Sequence, residues 1–253
     1  MVADLRILSA RRAYEFAPDE LRLTLLSNAS FIDHFQETFS FAEAVIHHPP
    51  ETFGAVPATM PPGLVFEHGV MELTEGNPTP IRRIHFEAQR LVIDIAGPSS
   101  SIDHIYSAIR QMLVDVRAPD GSPALGEPRR QVLDYSEMVA RLNMGPAAML
   151  STAMCQLFVD ASGHEAETGE WIAVPRWEMH VQPTDSEYGP STVPPHRTFR
   201  LALRPGTRPS EQRFFSGAPL DTDAHLAMLG RLETLLGDDE VSGRSKKRIS
   251  RRN

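Results

Sequence analysis

Apolar and polar positions follow two periods along this chain, and the two alternate. Phe31, Ile32, Phe35 and Phe39 recur at helical spacing, with Asp33, His34, Gln36 and Glu37 opposite and Ser27-Asn28 ahead as a cap. From 81 to 96 the period drops to two. Ile84, Phe86, Leu91, Ile93 and Ile95 alternate with polar residues, which predicts a hairpin with one buried face. A turn at Ala88-Gln89 pairs Phe86 with Leu91 and Ile84 with Ile93. The same register sets Glu87 opposite Arg90 and Arg83 opposite Asp94, two opposite-charge pairs contributing about 0.2–1 kcal/mol each. Gly97-Pro98-Ser99-Ser100 then stops the strand and caps a helix, with Asp103 near its positive end. Its apolar stripe is Ile102, Ile105, Tyr106, Ile109, Met112, Leu113 and Val116.

The same grammar returns later. Trp177, Met179 and Val181 alternate, as do Phe199, Leu201 and Leu203, and Phe214-Phe215 marks a third strand. Gly217-Ala218-Pro219-Leu220-Asp221-Thr222 stops and caps, after which Leu226, Leu229, Leu232, Leu235 and Leu236 line a helix. Between these passages, 131–142 reads as strand or helix, and 146–159 as a helix with Met149, Ala153, Gln156 and Leu157 inward. Proline-rich stretches at 47–63, 117–128 and 182–196 read as loops or linkers. The predicted fold is α+β, with antiparallel strands covered by amphipathic helices in two similar strand-rich halves, each closed by a helix. The halves are 1–118 and 128–238, followed by a flexible basic tail at 239–253.

Composition narrows the class without naming a function. At 253 residues, 41% hydrophobic and 23% charged, the chain suits a globular protein with a sizeable core. No apolar run approaches the ~20 residues a membrane helix needs. Met1 to Arg6 has no basic region followed by an apolar stretch, so no secretory signal is expected. Cys155, the single cysteine, reads as a buried inert thiol, and a cytoplasmic location fits it. Arg244, Lys246, Lys247, Arg248, Arg251 and Arg252 are six positive charges at the end of the chain; without them the net −8 becomes −14. Lysine occurs only at 246 and 247, a usage expected of a GC-rich bacterial genome.

The search for chemistry ends mostly in structural explanations. No HExxH, CxxC or helical i, i+4 histidine pair is present, and no GxGxxG, GxxxxGK[ST] or GxSxG. No metal ligands, cofactor or catalytic residues are therefore assigned. Ser99-Ser100-Ser101 reads as a cap, and Asp134, Asp160, Glu165 and Glu167 as solvated. An alternative keeps His47, His48, His68 and His85 as a metal-dependent centre near the proline-rich loop. One cluster stands as a ligand-binding candidate: Arg200, Arg204, Arg208 and Arg213, with Arg176 and His180 on the same sheet face. Guanidinium groups suit carboxylate or phosphate ligands through paired hydrogen bonds. The plainer reading is a solvated face balanced by Glu178, Glu187 and Glu211.

Glu43-Ala44-Val45-Ile46, Arg90-Leu91-Val92-Ile93-Asp94-Ile95 and the helix after Gly217, taken in order, resemble a sporadically distributed family of uncharacterised bacterial proteins. The resemblance lies mainly in element order and implies no activity, so it transfers no site residues. The expected function is a non-catalytic binding or assembly protein with a protein partner or self-association. Nucleic-acid or anionic-ligand binding through the basic tail and the arginine face is the alternative, disfavoured by the acidic body.

Overall fold

The computed structural model describes residues 2–47, 62–74, 77–144, 157, 176–180 and 198–249. The chain forms two compact units, one of Leu8–Ser136 and one of Met1–Ile7 with Glu137–Asn253. These bounds differ from the halves 1–118 and 128–238 expected from the sequence. The difference arises because two strands, β1 (Ala3–Glu15) and β6 (Arg130–Arg141), each contribute residues to both units.

In the unit Leu8–Ser136 the strand order is β2-β3-β4-β5-β1-β6, with β2 at Glu43–His47, β3 at Gly63–Thr74, β4 at Asn77–Glu87 and β5 at Arg90–Ile95. The β4–β5 hairpin has the expected register: Phe86 faces Leu91, Ile84 faces Ile93 and Arg83 faces Asp94. Its side chains reach further than the hairpin, however. Asp94 is held by Arg11 of β1, and Arg83 lies 3.9 Å from Glu67 of β3. Two short helices lie between β1 and β2, α1 (Leu23–Leu26) and α2 (Ala29–Thr38), and Asn28 caps α2 by accepting from the Phe31 amide at 2.8 Å. The apolar stripe of α2 drives Phe35 into a ring cluster, with centroids 4.8 Å from Phe39, 5.8 Å from Phe41 and 4.4 Å from Phe66. Helix α3 (Ser100–Leu113) buries Ile102, Ile105, Ile109 and Leu113 as its spacing dictates. Ser99 departs from expectation. It adopts helical backbone angles and makes no capping bond through its side chain; tight bonds from Ser101 to Pro98 and from Ile102 to Ser99 begin the helix instead.

The chain crosses from α2 into β2 against the middle of β3. Val70 donates its amide to the Phe39 carbonyl at 2.8 Å, and Ala42 donates to the His68 carbonyl at 3.3 Å. Gly69 makes this approach possible, because a Cβ there would overlap the Phe41 ring and stand 2.9 Å from the Phe39 oxygen.

In the other unit the order is β1-β6-β9-β8-β7, with β7 at Arg176–His180, β8 at Thr198–Leu203 and β9 at Arg213–Ala218. The stretch 131–142 thus resolves as strand. Met138, Ala140, Leu142, Phe199, Leu201, Phe214 and Leu229 form the core here. Helix α4 runs over Thr222–Ile249, so the backbone expected to be a flexible tail from 239 is helical to Ile249. Asp221 caps it, accepting from the Ala224 amide at 2.8 Å. Of the expected leucine stripe, Leu229 is buried and Leu232 and Leu236 pack against the core. Thr222, His225, Leu229 and Glu233 are the buried line, spaced three to four apart, while Leu235 is exposed. The predicted helix 146–159 lies outside the described residues apart from Leu157, as do Cys155 and His48.

Candidate functional site

Register brings part of the arginine cluster together. Arg176 stands opposite Ala202, Glu178 opposite Arg200 and His180 opposite Thr198, so these positions share one face of β7–β8. Glu178 occupies the middle, 3.5 Å from Arg176 and 3.4 Å from Arg200. An incoming anion would have to displace that carboxylate from both guanidinium groups. The other three arginines do not converge on this point. Arg204 follows β8 and donates its amide to the Arg213 carbonyl at 2.8 Å. Arg208 is exposed in the turn that Gly206 closes at a φ of +77°. Arg213 lies 3.9 Å from Glu211 and 4.0 Å from Asp4. The cluster is spread along a strand end, and Arg176, Arg200 and Arg213 stand next to carboxylates.

Beneath that face the sequence reading missed a serine–histidine pair. Ser216 of β9 and His225 of α4 are both fully buried, with Oγ and Nε2 2.8 Å apart. Ser216 Oγ also donates to the Arg200 carbonyl at 3.1 Å. A hydroxyl has one proton, so with that proton on the carbonyl the imidazole Nε2–H must donate to Oγ. An activated nucleophile needs the reverse polarity, with imidazole accepting from serine. The pair is thus a buried hydrogen-bond link between β8, β9 and α4. Glu233, one helical face along, accepts from the Asn143 amide at 2.7 Å and anchors the chain leaving β6.

In the unit Leu8–Ser136, three further polar groups gather around β1. Arg12, on the same face as the core residues Ala10 and Tyr14, is ion-paired to Asp134 at 2.8 Å and to Asp103 of α3. Asp134 is therefore a structural partner and not a solvated loop carboxylate. Tyr14 and Tyr106 stack beside it, centroids 4.1 Å apart and planes 17° apart. Burial raises both phenols, Tyr106 to about 12, and the Tyr106 hydroxyl has no hydrogen-bond partner among the described residues. On the opposite face of this sheet, His85 lies 3.5 Å from Glu87, whose carboxyl is pushed up mainly by burial, with Arg90 pulling the other way. Of the histidines read as metal candidates, His68 is exposed with a φ of +60°, and His47 pairs with Gly63. Among the described residues no three histidine, cysteine, aspartate or glutamate side chains gather where they could hold a metal ion, and no helix is long and apolar enough to cross a membrane.

What remains open is an edge. Strand β2 pairs with β3 over its full length, from Glu43 opposite Glu67 to His47 opposite Gly63. No described strand lies on its other side. Val45 is 42% exposed and Ile46 40%, one on each face, although their β3 partners Val65 and Leu64 are buried. Every second residue of such a strand directs its N–H and C=O outward. Edges of this kind are usually blunted by lysine, proline or a bulge, and β2 contains none of these. The chain matches no protein-family model and no curated protein.

Proposed function

We propose that this chain is a non-catalytic binding or assembly protein of the bacterial cytoplasm that meets its partner through an open strand edge. The observation that carries the reading is β2, a strand whose two central apolar residues stay roughly two-fifths exposed on an outer edge unpaired among the described residues. Strand addition to such an edge supplies main-chain hydrogen bonds, and the alternating side chains supply selectivity. The polar clusters support the reading because each has a structural use. Arg12 ties α3 and β6 to β1, Ser216 and His225 tie α4 to the sheet, and Glu178 occupies the arginine face. The strand-to-helix passages from β5 to α3 and from β9 to α4 support reading the two units as variants of one plan.

Sedimentation velocity over a wide concentration range tests the reading, together with capture of proteins by the immobilised chain. A concentration-dependent oligomer, or a partner bound stoichiometrically, is expected. A chain that stays monomeric and binds no protein refutes it.

A further inference from the structure

The β2 edge is complementary to itself. Set antiparallel to a second copy and centred on Val45, it places Glu43 opposite His47, Ala44 opposite Ile46, and Val45 opposite Val45. Acid meets base, small meets large, and the branched residue with the strongest strand preference sits on the axis. Paired residues of an antiparallel ladder point to the same face. The Ala44–Ile46 pairs would therefore extend the layer beneath Leu64, and Val45 the layer beneath Val65.

The other edge fails the same test. Strand β7 lacks an outer neighbour among the described residues, but centring it on Glu178 sets two carboxylates face to face and Arg176 opposite His180. Joining β2 to β7 of the next molecule would set Val45 against Glu178, and such head-to-tail contacts do not close into a dimer without a ring. Self-pairing of β2 is isologous, so it closes at two chains and uses up the edge. We propose that the occupant of the β2 edge is the β2 edge of a second copy of this chain, antiparallel, with its two-fold axis at Val45. This rests on the association reading above and names its partner.

The test uses the full chain with Cys155→Ala and a single new cysteine. Residues facing themselves across an antiparallel ladder have Cβ atoms about 4.5–5.5 Å apart, close to the ~3.5–4.5 Å of a disulfide, whereas diagonal neighbours stand about 7–8 Å apart. Under mild oxidation, Val45→Cys is expected to form a disulfide dimer at least about tenfold faster than Ala44→Cys or Ile46→Cys, one decade being the smallest preference that distinguishes the register. In the otherwise unaltered chain, Val45→Lys should shift sedimentation towards monomer while the circular dichroism spectrum is unchanged, since Val45 is already exposed.

Three results would overturn the proposal. An oligomer that Val45→Lys leaves intact and that Val45→Cys does not link preferentially places self-association elsewhere, and the association reading survives. A different protein bound in a Val45-dependent way, without self-linking, keeps the edge and rejects the second copy. A monomer that binds nothing overturns this inference and the association reading together.

Discussion

Arg12 offers a quantitative test of how this fold tolerates charge. Its side chain is 10% exposed and carries two carboxylates, Asp134 at 22% and Asp103 at 63% exposure. The same guanidinium group thus makes one sheltered and one wet ion pair, and exposure decides which matters. An exposed pair contributes about 0–1 kcal/mol, and Asp103 adds about 0.3–1 kcal/mol by lying in the first turn of α3. Asp103→Asn should therefore cost about 1 kcal/mol. Asp134→Asn leaves one oxygen where two now accept from Arg12 and Gln131, and it leaves a buried guanidinium with a solvated carboxylate as its one remaining charged partner of the two. Breaking a fully buried pair costs about 3–5 kcal/mol, so this partly sheltered one should cost about 2–3 kcal/mol. Urea denaturation of both variants, compared at equal m-values, measures the difference. A third variant, Arg12→Met with Asp134→Leu, replaces the sheltered pair by apolar groups and should be close to neutral. If Asp103→Asn costs as much as Asp134→Asn, solvent screening does not govern this cluster and the reasoning fails.

Other outcomes follow from single groups. Tyr106→Phe removes a hydroxyl that has no hydrogen-bond partner among the described residues and should raise stability at pH 7 by up to about 1 kcal/mol, read from the urea midpoint. The fold raises the Tyr106 pKa to about 12 from the ordinary 10, so its contribution is complete below pH 10 and is lost as pH climbs through 12; wild type should lose more stability over that interval than Tyr106→Phe. Glu87 is raised in the same sense by burial, so its contribution is complete below the ordinary glutamate value and lost as pH rises through the folded one. Glu87→Gln should accordingly be more stable than wild type at pH 7, with the gain shrinking below pH 4; an equal gain at both would refute the assignment. Gly69→Ala must displace the Phe41 ring and the Phe39 carbonyl and should cost about 1–3 kcal/mol, read from thermal unfolding.

Where local pattern and tertiary environment agree, the chain was readable in advance. The β4–β5 register and the stripe of α3 follow from alternation and from helical spacing, since each element buries a single face against one core. Strand β1 was not anticipated. Its alanines, arginines, leucines and glutamate favour helix, and only Ile7 is β-branched. It is a strand because β5 and β6 bond to it from either side, and because Asp94, Asp103 and Asp134 neutralise Arg11 and Arg12 from distant parts of the chain. Helix α4 was legible in part, with Leu229, Leu232 and Leu236 at the core as their spacing implies. Its leucines outlined one stripe, yet His225 and Glu233 are buried because Ser216 and Asn143 meet them, partners that lie outside the helix. In the sequence, the β2 segment stands out only as one of the stretches of the family resemblance, Glu43-Ala44-Val45-Ile46. That nothing described covers its outer side is a property of strand order, which one-dimensional periodicity does not carry.

The division of β1 has a consequence for the order of synthesis. Residues up to Ile7 belong with Glu137–Asn253, while the rest of the strand belongs with Leu8–Ser136. A ribosome at ~5–20 residues per second takes on the order of ten seconds to travel from one to the other. The unit Leu8–Ser136 is continuous and can fold as soon as it emerges. Residues up to Ile7 must then wait, still without the strand beside which they will lie, until β6 is delivered.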